Sequence, residues 1–195
     1  MIKNVNWGLI FNILLRLSIF YFLGEVLLFP DDPRFAGKAI PIRNLVIVIS
    51  LSLLSPILYF WKKKWWFDVA HHKYPFWWDD LYLSIFWLDM AGNSFNLYDS
   101  YFYFDLIPHF HSTAALAAVL LGAFGFSFWS GVGFANIIHM LLEAQEYYTD
   151  VLFGTHNVRG TFDVVNDLVV GVLGTLIYGL IYLYFKMRKR GIIAK

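Results

Sequence analysis

Acidic and imidazole side chains inside an otherwise apolar stretch are the first residues of this chain that could do chemistry. The segment HMLLEAQEYYTD, residues 139 to 150, carries His139, Glu143, Glu146 and Asp150 at spacings of four, three and four, one face of a helix. Asp163 and Asp167 stand one turn apart further on, followed by Gly171 and Gly174. Upstream, Asp105 precedes His109 by one turn, with Ser112 and Thr113 beyond, and Asp89, Asn93 and Asn96 form another stripe ending near Ser100. Neutral imidazoles and carboxylates at helical spacing are ligands for a divalent metal such as zinc, manganese or iron. Helix bundles build such sites from Glu-x-x-His pairs, and here Glu143-x-x-Glu146 offers two acids with His139 a turn deeper. The expected metal ligands are therefore His109, Glu143, Glu146 and Asp167, and the expected catalytic set is Glu143, Glu146, His109, Asp163 and Asp167. Arg159, whose planar fork suits phosphate or carboxylate, is the expected holder of an anionic substrate, with Asn93 and Asp89 as further substrate contacts.

Energetics say why these residues stand out. A charge at the centre of a membrane helix costs roughly 2.5–3.5 kcal/mol on insertion scales, while each Leu or Ile returns about 0.3–0.6 kcal/mol. One ionised carboxylate thus offsets on the order of five to ten leucines, and Glu143 and Glu146 are expected to face a bundle interior. The bland reading of such a cluster is a hydrogen-bonded network that fixes helix register; the functional one is a site.

The elements that must position these groups are membrane helices. The chain of 195 residues is 59% hydrophobic, 21% aromatic and 15% charged, where soluble domains hold about 25% charged residues. A helix needs roughly 20 apolar residues to cross a bilayer, and six such helices are expected at about 7–29, 43–61, 80–98, 105–127, 130–151 and 164–186. The fold class is all-α: a polytopic bundle forming one transmembrane domain over residues 1–195, with no internal repeat. The first apolar stretch is too long for a signal-peptide core and reads as a retained helix. A Pro-rich loop, PDDPRFAGKAIP, separates the first two helices, and the Lys- and Trp-rich segment after the second, carrying His71 and His72, reads as interfacial. Lys62, Lys63, Lys64 and the basic tail put both termini on the cytoplasmic side; Arg34, Lys38 and Arg43 oppose that assignment. With this topology the polar stripes of four helices fall in their outer halves, near the extracytoplasmic face.

Within the first helix Arg16 needs a partner, and Asp89, at similar expected depth, is the candidate. Gly171 and Gly174 read as close helix contacts, since no strand precedes them; His111 reads as an interfacial side chain. The net charge of +1 gives no reason to expect nucleic acid. The chain has no cysteine, which excludes disulfides, thiolate nucleophiles and thiolate metal sites, and no nucleophile-elbow motif supports a serine hydrolase.

The pattern Asp105-x-x-x-His109-Phe110, Glu143-x-x-Glu146-Tyr147 and Asp163-x-x-x-Asp167-Leu168, with Gly174 beyond, resembles the YjdF-like membrane proteins of bacteria and archaea. It is more distantly similar to the VanZ-like proteins, in which an Asp-x-x-x-His-Phe element precedes an acidic-Gln pair and an Arg…Asp…Asn run. Glu143-x-Gln145 and Arg159-x-x-x-Asp163-x-x-Asn166 echo that second pattern. The resemblance spans about residues 95 to 180. The YjdF-like family implies no particular activity. The VanZ-like family is linked to glycopeptide resistance, and the extra acid Glu146 departs from its pattern. The expectation is a membrane protein whose outer site binds a lipid or cell-envelope amphiphile. The alternatives are a metal-dependent lipid hydrolase or phosphatase, and a proton- or ion-coupled carrier.

Overall fold

The computed structural model describes residues 5–36, 38 and 74–191. Among these, every regular element is helical: α1 (Trp7–Leu28), α2 (Phe76–Ser94), the single turn α3 (Leu97–Ser100), α4 (Leu106–Val119), α5 (Phe128–Phe153) and α6 (Thr161–Lys189). The expected helix at 43–61, the interfacial segment with His71 and His72, and Arg43 lie outside the described residues. A π turn, Leu120–Phe124, extends α4 and closes at Gly125, whose φ of 77° is left-handed. Three of the helices are long and apolar enough to cross a membrane: α1, α4 with its π turn, and α6. α2 and α5 each carry three acids, Asp79, Asp80 and Asp89 on the first and Glu143, Glu146 and Asp150 on the second.

The chain divides into two compact units, Met1–Ser100 and Tyr101–Lys195. In the first, α1 and α2 lie side by side and run the same way. Gly8 meets Phe76, the Asn12 amide donates to Asp79 at 3.0 Å and Asp80 at 2.8 Å, and the Phe22 ring packs on Trp87 and Phe95. Leu15, Ile19, Phe22 and Leu23, one stripe of α1, bury against Leu83, Met90 and Ala91 of α2.

Arg16 does have an acidic partner on the expected neighbour, but it is Asp79, at 2.9 Å, and not Asp89. Helical side chains lean toward the helix N-terminus, so a long arginine on one of two parallel helices reaches back a turn. Asp89 is instead bonded by the Tyr98 hydroxyl at 2.9 Å. The loop arginine that weighed against the orientation is locally neutralised: Arg34 pairs with Glu25 and with Asp32, both at 2.8 Å. It also donates to the Ser94 carbonyl at 2.6 Å. Lys38 pairs with Asp99 at 3.1 Å.

In the second unit α4 presents Ala114, Ala115, Ala117 and Ala118 to the interior, all buried. Side chains this small let helices approach closely, as membrane interfaces require. Opposite them, Gly174 of α6 sits against the Phe110 carbonyl, where any Cβ would collide. The expected packing role of Gly171 and Gly174 is therefore seen. Asn136 of α5 donates to Thr175 of α6 at 2.9 Å, satisfying a polar pair in this interior. The outward surfaces are apolar: Val169, Val172, Leu173, Ile177 and Leu180 on α6, and Ile137, Met140 and Leu141 on α5, are exposed. Continuous apolar exposure of this kind is what lipid-facing helices show.

Candidate metal centre

Three helices of the second unit bring the chemistry together. His109 lies in the first turn of α4 and His139 with Glu143 one turn apart near the middle of α5. Asp167 lies in the second turn of α6. At 1.5 Å per residue, His109 is about 6 Å along α4 from Asp105, and Asp167 about 9 Å along α6 from Thr161. The group therefore sits one to two turns in from the ends of two apolar helices.

The ring of His109 separates two clusters. On one side its Nδ1 is 2.9 Å from His139 Nε2 and 3.0 Å from Glu143 Oε1, and the last two atoms are 3.2 Å apart. On the other side its Nε2 is 3.3 Å from Asp105 Oδ1 and 4.0 Å from Asp167 Oδ2. Glu143 and His139 are 4% and 6% exposed, Asp167 2%. Glu143 Oε1 is buried beside the two ring nitrogens, and Asp167 Oδ1 is buried without a donor. The His109 and His139 nitrogens are within hydrogen-bond distance of each other, and with Glu143 Oε1 they form a compact triangle of donor atoms.

Tetrahedral ligation at about 2.0–2.1 Å spaces neighbouring ligand atoms about 3.3 Å apart. The triangle of 2.9, 3.0 and 3.2 Å is close to that. Two imidazoles and one glutamate are also a donor set of catalytic zinc, which leaves a fourth position for water or substrate. Both clusters, His109–His139–Glu143 and Asp105–His109–Asp167, hold donor atoms within 4.8 Å of one another. The first has the closer spacing and the softer donors.

Glycine makes the site fit. Gly171 of α6 lies against the His139 imidazole, and a Cβ there would overlap Nδ1 and Cε1 of the ring. The helix contact that the sequence indicates at this position is thus a contact with a candidate ligand.

Of the residues expected from sequence, His109, Glu143 and Asp167 come together with His139, which the sequence reading named as a neighbour without placing it among the ligands. Glu146 is half-buried a turn further along α5 and belongs to neither cluster. Asp163 accepts the Arg159 backbone N–H at 2.9 Å, at the start of α6. The Arg159 guanidinium is exposed and donates to the Phe102 carbonyl at 3.2 Å. Asp89 and Asn93 belong to the first unit, where Asn93 donates to the Asp89 carbonyl at 3.0 Å. Asp150 is structural: it accepts from Thr155, from both Asn157 nitrogens and from Val158, tying down the loop after α5. His111 lies 3.2 Å from the Tyr178 hydroxyl, away from the clusters.

Fold and site define an all-α protein with helices able to span a membrane and a histidine–carboxylate group able to hold a metal ion. Comparison with protein-family models, with curated proteins and with solved structures gives no match.

Proposed function

We propose that this chain is a six-span integral membrane protein, both termini cytoplasmic, that holds a divalent metal with His109, His139 and Glu143 and acts on the headgroup of a membrane amphiphile. The observation that carries the reading is the convergence of His109 Nδ1, His139 Nε2 and Glu143 Oε1 within 3.2 Å of one another in a buried site. A metal so held supplies Lewis acidity and an activated water. Asp167, on the Nε2 side of the His109 ring at 4.0 Å and with Oδ1 buried without a donor, is a further acid of the same interior. Hydrolysis of a lipid or cell-envelope headgroup is the reaction class these groups suit, and amphiphile binding without turnover is the simpler form of the same reading.

The depth of the site supports an amphiphile: one to two turns below the helix starts is where headgroup and acyl chain meet. The unbroken line from Asp105 through His109 to His139 and Glu143, no step longer than 3.3 Å, also favours a second reading, a proton relay of a coupled carrier.

Metal analysis of the purified full chain, wild type against Glu143→Ala, tests the choice. Stoichiometric metal in wild type and its loss in a folded variant are expected. No metal in either removes the enzyme reading and leaves the relay.

A further inference from the structure

His109 has two nitrogens and only one can face a metal shared with His139 and Glu143. Its Nδ1 does so, at 2.9 and 3.0 Å from their donor atoms. The Nε2 points the other way, toward two carboxylates at 3.3 Å and 4.0 Å. Only the nearer, Asp105, is at a distance that tightens into a hydrogen bond; 4.0 Å is too long for one. Asp105 stands at the N-cap position of α4, yet its side chain caps no backbone N–H. A residue type favoured at this position for capping is here turned to the imidazole instead.

We propose that Asp105 is the positioning carboxylate of the metal centre. It accepts the Nε2 proton of His109, fixes the tautomer whose Nδ1 lone pair is free, and orients the ring toward His139 and Glu143. Metal-binding histidines regularly have such a partner, and its removal costs 10–100-fold in affinity, as an order of magnitude. The inference rests on the metal-centre reading and extends it to a residue that touches no metal. Asp167, at 4.0 Å, is too far from Nε2 to play this part.

The test uses the detergent-solubilised full chain and zinc alone as probe, with Asp105→Ala and Asp105→Glu. Because Asp105 makes no capping bond, the alanine variant loses none, and its fold is checked by helical circular dichroism. One zinc per wild-type chain is expected, with roughly 10–100-fold weaker binding in Asp105→Ala and recovery in Asp105→Glu. Nitrogen-15 NMR of labelled histidine in zinc-free protein gives a readout that a merely structural role would not move. At a pH high enough to keep the ring neutral, His109 should be a single tautomer protonated at Nε2 in wild type and a mixture in Asp105→Ala. Equal zinc affinity in Asp105→Ala overturns the proposal, as does an unchanged tautomer. Two zinc ions per chain also overturn it, because Nε2 would then be a ligand itself, with Asp105 and Asp167. If wild type takes up no zinc, the metal reading falls by itself, and the tautomer measurement still decides the role of Asp105.

Discussion

Replacing Gly171 by alanine should damage the metal centre without touching any proposed ligand. The added methyl would overlap Nδ1 and Cε1 of His139, and restoring a normal separation of about 3.5 Å requires the ring to retreat by ~1 Å. Its Nε2 now sits 2.9 Å from His109 Nδ1 and 3.2 Å from Glu143 Oε1. Metal–ligand distances tolerate only about 0.2 Å, so a retreat of that size removes His139 from the coordination sphere. Zinc affinity should fall at least as far as for loss of an outer-shell partner, about 100-fold or more. Overpacking should cost about 1–3 kcal/mol of stability. The assay is competition for zinc against a chromophoric chelator, paired with thermal unfolding. Gly133→Ala on α5 is the control: its Cβ would meet nothing, and helix propensity favours alanine over glycine by about 1 kcal/mol. Wild-type zinc affinity in Gly171→Ala would refute the reasoning, because His139 could then not be both crowded by the methyl and a ligand.

The pair on the first unit predicts an asymmetric cycle. Arg16→Leu strands the Asp79 carboxylate, 2% exposed, and should cost about 3 kcal/mol. Asp79→Leu should cost less, since Arg16 is 29% exposed and can reach polar surroundings, and the double variant should recover part of the loss in detergent unfolding. A double variant no better than Arg16→Leu would show the two side chains to be uncoupled. Asp150→Ala leaves donors of Thr155, Asn157 and Val158 without their acceptor, at a cost of about 1–3 kcal/mol. Hydrogen exchange confined to residues 155–158 should quicken; unchanged protection there would contradict the anchor role. Asp32 is held down from 3.8 to about 2 by hydrogen bonds from the Arg34 side chain and backbone. Its folded value is depressed, so its contribution is complete above pH ~4 and is lost as pH falls toward 2. Carbon-13 titration of Asp32 giving an ordinary carboxylate midpoint would argue against the contact.

Much of the site was legible because helical period and the cost of buried charge act on the sequence directly. Asp105 and His109, His139 and Glu143, and Asp167 stand out by helical spacing in or beside apolar runs, which brings all five to attention and three of them, His109, Glu143 and Asp167, into the expected site. Depth along the axis was the weaker inference. Glu146 shares a face with His139 but lies seven residues, about 10 Å, further along α5, too far to share an ion with it. The choice of His139 depended on Gly171 making room from another helix, a relation that no spacing within α5 encodes. The Arg16 partner was misjudged for a similar reason: matching depths by backbone position ignores that a long side chain leans a turn toward the N-terminus. Asp150 looked like part of the polar stripe, and the signal for its true role was the Gly-Thr-His-Asn sequence that follows. Helix existence was clear from apolar runs. That α2 starts at Phe76 and not at 80 reflects Pro75, which suits the beginning of a helix.

The co-directional packing of α1 and α2 has a topological corollary. Neighbours joined by a short hairpin must point oppositely, so two that point alike have their entry points on one side and their exits on the other. With α1 across a bilayer, a tag inserted just after Leu28 and one just before Phe76 must report from opposite compartments.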